Sequence, residues 1–224
     1  MNKSIIVIVA FIFNIIVAFQ ACAAFTLSGT RFIYDEGRKN ISVEISNANK
    51  ETFGGQVWID NTTQPSRDVF FTPAPSFFKV AGGEKQIIRL LNVNPALPQD
   101  RESLFWLNVQ EIPPSPEEGE NILAIALNTQ VKLFYRPKLL KDGRDKAEQK
   151  IQVSDTKLRN PTPYYFAVTA VSVNGQKIKL NSEVDKQLSQ MSPFSEINIG
   201  RSLAGTVVIE AIDDYGARRE YTLE

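Results

Sequence analysis

The chain of 224 residues contains no histidine and only one cysteine. The absence of histidine excludes Ser-His-Asp and Cys-His catalysis, histidine general bases and most zinc sites. The carboxylates are scattered, and no pair of them stands out as a catalytic acid and base. We therefore expect neither an enzyme nor a bound metal or other cofactor, and a secreted hydrolase is disfavoured.

The single cysteine, Cys22, lies in an N-terminal segment with the pattern of a secretory signal peptide. A basic start at Lys3 precedes an apolar run from Ile5 to Phe19, and small residues follow up to Ala23. A transmembrane anchor is the alternative, but about 15 apolar residues are fewer than the roughly 20 that span a bilayer. We predict that residues 1–23 are a signal peptide and that the mature protein is exported.

Cleavage is expected after Ala23, with Ala24 as the next candidate position. A lipidated Cys22 is a lesser alternative, because Phe19 and Gln20 are poor residues just upstream of a lipidation cysteine. The mature chain then has no disulfide despite its export, so ordinary hydrophobic cores must stabilise it.

The charge of the mature chain argues against nucleic acid as a partner. Removing Lys3 from the 25 basic residues leaves 24 against 25 acidic ones, so the net charge is about −1. Long-range attraction to a polyanion needs a clear excess of positive charge, although a net value says nothing of local basic patches.

Short apolar or alternating runs, separated by turn residues, follow the signal segment and predict an all-β protein. Seven predicted strands between Phe25 and Tyr135 suit an immunoglobulin-like sandwich. A second set lies between Lys150 and Leu223, and no stretch shows a long helical period. The polar segment Arg136–Lys150 separates the two sets. We predict an N-terminal domain of residues 24–142 and a C-terminal domain of residues 143–224.

Two local signals make the strand boundaries specific. Pro137 lacks the backbone donor of a strand ladder and should end the strand before it. Asn174-Gly175 supplies the positive φ angles of a type I′ turn and predicts a tight hairpin.

The predicted strand Ile122–Tyr135 alternates in an unusual way. Large and small residues take turns along its first part, the large ones being Leu123, Ile125 and Leu127 and the small ones Ala124 and Ala126. Successive strand residues face opposite sides, so two interpretations are open. The large set packs into the domain's own core, or the alanines lie over the core and the large set projects outward for a partner to cover.

Four segments decide between these interpretations, because together they resemble the PapD-like periplasmic chaperones of bacterial pilus assembly. They are "LPQDRESLFWLNVQEIPP" (Leu97–Pro114), "NILAIALNTQVKLFYRP" (Asn121–Pro137), "RNPTPYYFAV" (Arg159–Val168) and "DDYGA" (Asp213–Ala217). The resemblance implies two immunoglobulin-like domains arranged as a boomerang around a cleft. It also implies a non-enzymatic periplasmic chaperone that binds pilin or adhesin subunits by donor-strand complementation and delivers them to an outer-membrane usher.

The resemblance assigns roles to particular residues. Leu123, Ile125 and Leu127 become the outward-facing donor strand lent to the subunit. Arg31 and Lys132 become the cations that hold the C-terminal carboxylate of the subunit, which would fix the register of the added strand.

The sequence does not explain which way Lys132 faces. Lys132 is at an even position and the large residues are at odd ones, so a regular strand would place them on opposite faces. A bulge or twist near residues 128–130 would turn it. Alternatively, the surface beside the strand changes from partner groove to interdomain cleft.

The resemblance also implies an ionic cluster between the domains, formed by Glu102, Arg136 and Asp214. Three ordinary surface charges are the alternative, and exposed pairs of that kind contribute little to stability. A buried cluster would mainly fix the angle of the cleft.

Three further expectations concern subtype and partners. The segment Pro113–Asn121 is short and polar, which resembles the chaperones with a short loop before the last strand of the first domain. An exposed apolar stripe could also pair two copies of the free chaperone. The runner-up function is a structural or adhesive immunoglobulin-like pilus component, but the donor-type strand here is internal.

Overall fold

The computed structural model describes residues 24–65, 67–115 and 124–223. The predicted signal peptide, Leu123 and most of the short loop lie outside these ranges. The described residues form two β-rich domains, as the sequence predicts, and each has its own hydrophobic core. The exact boundary between residues 142 and 143 stays a prediction.

The N-terminal domain is a sandwich of two sheets. A four-stranded sheet has the order β1-β3-β7-β5, and a five-stranded sheet has the order β2-β9-β8-β4-β6. All pairs are antiparallel except β2 and β9, which run parallel. The strands are β1 (Phe25–Leu27), β2 (Arg31–Asp35), β3 (Ile41–Asn47), β4 (Phe53–Asn61), β5 (Phe71–Ala74), β6 (Phe77–Val80), β7 (Lys85–Asn92), β8 (Ser103–Ile112) and β9 (Asn128–Arg136).

The core of this domain lies between its sheets and is rich in aromatic side chains. Alternate residues of β8, among them Phe105 and Leu107, are fully buried, and the ring of Phe71 meets that of Phe105 edge-on at 4.9 Å. Burying a side chain of this size contributes roughly 1.5–3 kcal/mol. The period-2 pattern of the sequence therefore places one face of each strand inside the sandwich.

The C-terminal domain also has two sheets, of three strands in the order β10-β11-β14 and of four strands in the order β13-β12-β15-β16. The strands are β10 (Gln152–Ser154), β11 (Lys157–Arg159), β12 (Val168–Val173), β13 (Gln176–Lys177), β14 (Glu196–Asn198), β15 (Val207–Ile212) and β16 (Arg218–Leu223).

A short α-helix, α1 (Ser182–Ser189), lies in this domain and was not predicted, and two 3-10 helices (Lys138–Leu140 and Ala147–Lys150) lie in the segment between the two sets of strands. The first turn of α1 is capped by Asn181, whose side chain accepts a hydrogen bond from the amide of Val184 at 2.8 Å. Only Val184 and Leu188 are buried, so its apolar face is too small to give a clear helical period.

The two local signals are confirmed, and one predicted boundary is wrong. Strand β9 ends at Arg136, directly before Pro137. The hairpin of β12 and β13 turns at Asn174 and Gly175, with φ angles of 51° and 79°. Strand β9 begins at Asn128 rather than Ile122, so residues 124–127 precede it without belonging to a strand.

The outer face of the five-stranded sheet contacts the C-terminal domain. Leu104 of β8 and Phe134 of β9 form a small apolar cluster with Tyr165, and the rings of Phe134 and Tyr165 lie 6.1 Å apart. The amide of Glu102 also donates to the carbonyl of Pro163 at 2.9 Å. Side chains on this outer face therefore lie where the two domains meet.

Candidate functional site

Arg31 and Lys132 are direct neighbours on the parallel strands β2 and β9, where they are register partners. Because register partners share a face, both side chains lie on the same side of the sheet. Leu133 and Tyr135 point into the core, so Lys132 lies on the outer face that meets the C-terminal domain. The structure thus brings together the two cations that the sequence resemblance had paired.

Each cation donates a hydrogen bond to a backbone carbonyl of the C-terminal domain. The Nζ of Lys132 donates to the carbonyl of Ser189, at the C-terminal end of α1. The Nη1 of Arg31 donates to the carbonyl of Ile212, the last residue of β15, at 3.0 Å. The ammonium of Lys132 also lies 5.9 Å from the ring centroid of Trp106.

The local environment disfavours positive charge on both residues. Burial lowers the pKa of Lys132 to about 8, and the neighbouring charge of Arg31 adds to this effect. Burial also lowers the pKa of Arg31, against the attraction of Asp214. Within the described ranges neither cation forms a salt bridge, and the Nε of Arg31 is buried without a hydrogen-bond partner. An anion such as a carboxylate would satisfy both groups.

The facing of Lys132 follows from the register of β8 and β9. Their pairing runs without a shift from Gln110 opposite Asn128 to Ser103 opposite Tyr135, so no bulge turns the lysine. The carbonyl of Leu127 accepts from the amide of Glu111 at 2.9 Å and extends the same register by one residue.

Leu127 therefore shares the face of Val131 and Leu133, which is the core face, so the outward facing predicted for Leu127 is wrong. Ile125 lies beyond the register pairs, and Leu123 lies outside the described residues. The predicted exposure of the large residues is right for the two that are described. Leu133 is fully buried, whereas Leu127 is 46% and Ile125 is 60% exposed. Leu127 is exposed because it continues the core face beyond the end of the core. Ala124 and Ala126 are exposed as well.

Strand β9 also has a partly open edge. It pairs with β8 along residues 128–135 but with β2 only along residues 132–136. Among the residues that the structure describes, no strand covers the other edge of residues 128–131. An open edge that leads into exposed apolar side chains is a surface to which another strand can add.

The three residues of the predicted ionic cluster are in contact. The Nε of Arg136 lies 2.6 Å from Glu102, and its Nη1 lies 2.7 Å from Asp214 of the C-terminal domain. Glu102 also accepts a hydrogen bond from the amide of Tyr165 at 2.8 Å. Arg136 is buried, which disfavours its charge, but the bonds from Asp214 and Glu102 outweigh this and raise its pKa. The cluster joins the end of β9 to the second domain.

Sequence reasoning missed two members of this cluster, Arg144 and Glu148. The guanidinium of Arg144 binds Glu148 through two bonds of 2.9 and 2.7 Å, and its Nε lies 3.3 Å from Asp214 without hydrogen-bond geometry. Their spacing of four residues was an available signal. The segment is also polar and charged throughout, which is typical of a linker between domains.

A cavity of about 1110 Å³ lies beside this cluster and is lined by residues that include Asp35, Arg38 and Tyr215. Neither Arg31 nor Lys132 lines it, so this cavity is separate from the paired cations.

The described residues contain neither a candidate metal site nor a helix that could span a membrane. No group of three or more acidic, cysteine or histidine side chains within residues 24–65, 67–115 and 124–223 is placed to hold a metal ion. Over the same ranges, no helix is long and apolar enough to cross a membrane.

Comparison with known proteins gives matches over both domains. Residues 24–141 match the family model for the pili and flagellar-assembly chaperone PapD N-terminal domain, and residues 146–223 match the pili assembly chaperone PapD C-terminal domain. The chain is 46% identical to the chaperone protein FanE of Escherichia coli, covering 100% of this chain and 99% of FanE. It is 37% identical to the E. coli chaperone protein FaeE, covering 91% and 80% of the two chains.

A solved structure agrees with these matches. The CupB2 chaperone of Pseudomonas aeruginosa is 30% identical with a TM-score of 0.72, covering 88% of this chain and 98% of CupB2.

Proposed function

The chain belongs to the PapD-type family of pilus-assembly chaperones. We propose that it captures pilus subunits with two neighbouring features, the paired cations Arg31 and Lys132 and the open edge of β9. The observation that carries this proposal is the adjacency of two half-buried cations to an edge that ends in exposed apolar side chains. The chaperone itself contributes no chemistry. It holds the subunit and covers apolar surface that the subunit would otherwise expose.

The paired cations bind the C-terminal carboxylate of the subunit. Arg31 offers a planar fork of donors and Lys132 a compact charge, which together match the oxygens of one carboxylate. Each charge-assisted hydrogen bond contributes about 1.5–3 kcal/mol. Both cations already use one donor on a carbonyl of the second domain, so their positions are fixed before the subunit arrives.

The segment before β9 supplies the donated strand. Leu127 and Ile125, with Leu123 as the third member, insert into the incomplete sandwich of the subunit. Burial of each side chain contributes roughly 1.5–3 kcal/mol to the free energy of binding. Because Leu127 continues the core face of β9, the chaperone core and the subunit core would lie end to end along the chain.

The carboxylate anchor fixes the register of this addition. Lys132 and Leu127 belong to one unshifted register, so the distance from anchor to donor residues is set by regular strand geometry. A slip of one residue would present the wrong face of the subunit strand to Leu127 and Ile125.

The ionic cluster of Glu102, Arg136 and Asp214 holds the two domains at the angle that this anchor needs. Ser189 and Ile212 belong to the second domain, and they contact Lys132 and Arg31 only at one relative orientation. A rotation of the domains would release both cations from their acceptors.

Three parts of the proposal concern the cellular setting. Residues 1–23 direct the chain to the periplasm and are removed. The loaded chaperone passes its subunit to an outer-membrane usher, in the manner of the family. The short loop before β9 assigns the chain to the short-loop subtype, and its residues 116–123 lie outside the described ranges.

Retention of subunits in the periplasm tests this function. The chaperone, tagged at its C-terminus, is recovered from periplasm, and the proteins that it retains are identified by mass spectrometry. We expect a pilus subunit with wild-type chaperone and its loss with Arg31→Ala/Lys132→Ala. A chaperone that retains no pilus subunit, or a double variant that retains it fully, would contradict the proposal.

A further inference from the structure

The turn between β15 and β16, residues 212–217, contacts both the anchor and the ionic cluster. The carbonyl of Ile212 accepts from the Nη1 of Arg31 at 3.0 Å. Two residues later, Asp214 accepts from the Nη1 of Arg136 at 2.7 Å. One short loop of the second domain therefore touches two functionally assigned arginines of the first.

Asp213 builds this turn from within. Its Oδ1 accepts from the backbone amides of Tyr215 at 3.0 Å and Ala217 at 2.9 Å. Its Oδ2 accepts from the Nε of Arg219 at 2.6 Å, and its own amide donates to the carbonyl of Ala217. The residue is only 9% exposed, and among the described residues it forms no hydrogen bond or salt bridge with Arg31 or Arg136. Asp213 thus fixes the path of the backbone between Ile212 and Asp214.

Gly216 sets how closely the turn approaches the first domain. Its φ of +87° is in the left-handed region that favours glycine. A Cβ on this residue would lie 2.6 Å from the Oγ1 of Thr30, the residue directly before Arg31. The turn therefore packs against the start of β2, next to the anchor.

From these contacts we propose that the 212–217 turn positions Arg31 for the subunit carboxylate, with Asp213 as its positioning residue. This inference rests on the proposed function. With Nη1 held by the carbonyl of Ile212, the remaining donors of the guanidinium have one fixed direction. Loss of the bonds to Asp213 lets Ile212 and Asp214 shift together, so the anchor loses its orientation while the donor segment before β9 is untouched.

A purely stabilising role for Asp213 predicts a different result. It would weaken all binding in proportion to the unfolded fraction, without regard to the subunit terminus. A positioning role weakens only the part of the affinity that depends on the carboxylate. The ratio of affinities for a free-acid and an amidated C-terminus separates the two.

The probe is a peptide that matches the C-terminal strand of the retained subunit, prepared with a free carboxylate and with a carboxamide. Binding of both forms to the full chain is measured for wild type, Asp213→Ala and Asp213→Asn. Asparagine can still accept the two backbone bonds, so it should restore most of the preference. Arg218→Ala is the matched control, because Arg218 is an exposed cation of β16 that does not contact Asp213.

We expect Asp213→Ala to reduce the preference for the free acid by about fivefold, while the affinity for the amide stays within about twofold. Asp213→Asn and Arg218→Ala should keep most of the preference for the free-acid peptide. An unchanged preference in Asp213→Ala would overturn the inference, and so would equal loss for acid and amide.

If Asp213→Ala does not fold, Arg219→Ala decides, since it removes one bond to Asp213 from an exposed position. A lower acid preference than in Arg218→Ala then supports the inference, and an equal one overturns it. A wild-type protein without any preference for the free acid would instead overturn the proposed anchor itself.

Discussion

Arg31 and Lys132 lie side by side on the only parallel strand pair of the described N-terminal sandwich, and each is bonded to a carbonyl of the other domain. Two like charges that are adjacent and half-buried destabilise the folded protein unless an anion binds between them. Their adjacency is thus a cost to the free protein. That cost is offset when the carboxylate of a subunit binds.

Lys132 should make the stability of the free chaperone depend on pH. Its pKa in the folded protein is about 8, below its ordinary 10.5. Between these values the unfolded chain binds more protons, so this lysine makes stability rise with pH there and disfavours folding below about pH 8. We expect Lys132→Met to be at least as stable as wild type at neutral pH, with an advantage that shrinks as the pH rises through this range.

The measurement is the melting temperature of wild type and Lys132→Met as a function of pH. Lys79→Met is the control, because Lys79 is exposed on the same sheet. If the difference in melting temperature between Lys132→Met and wild type does not change with pH, the claim that burial disfavours the charge of Lys132 is contradicted.

Ile125→Asp should weaken subunit capture far more than it lowers stability. Ile125 is 60% exposed, so a charge there is solvated in the free chaperone but cannot enter an apolar groove. Leu133→Ala is the matched contrast on a fully buried residue of β9, and the unfolding free energy of this variant should fall by about 2–5 kcal/mol. Subunit retention and chemical denaturation measure the two effects. A large loss of stability in Ile125→Asp would mean that this side chain is part of the core.

Arg136→Ala should loosen the arrangement of the domains. It leaves Glu102 buried without its partner, which costs about 3–5 kcal/mol of stability. It also removes the link to Asp214, so spin labels on the two domains should give a broader distance distribution. Lys157→Ala is the control, since it breaks the exposed pair with Glu196 and should cost less than about 1 kcal/mol. An unchanged distance distribution in Arg136→Ala would contradict the claim that the ionic cluster fixes the angle between the two domains.

The sequence predicted the architecture because alternating strands, turn residues and Pro137 act locally. It could not give the facing of Lys132, because the exposure of the large residues before β9 does not mean that they lie on the outer face. Lys132 lies on the outer face by plain alternation with the buried Leu133. Leu127 and Ile125 look like core residues by pattern, yet the core does not reach them, and both are exposed.

The site was less predictable from the residues alone than the architecture, because its members are far apart in the sequence. The pairing of Arg31 with Lys132 came from the family resemblance, because a parallel strand pair between residues far apart leaves no trace in spacing. The approach of Arg144 to Asp214 is likewise a long-range contact that spacing does not show, although its pairing with Glu148 four residues later is local. The short helix α1, which supplies the acceptor for Lys132, has only two buried residues to reveal it.

The most direct test of the anchor is the affinity of the chaperone for the free-acid and amidated forms of the same subunit peptide. Wild type should prefer the free acid by at least about tenfold, and Arg31→Ala/Lys132→Ala should bind both forms equally while remaining folded. A double variant that still prefers the free acid as strongly as wild type would contradict the claim that these two cations hold the subunit terminus.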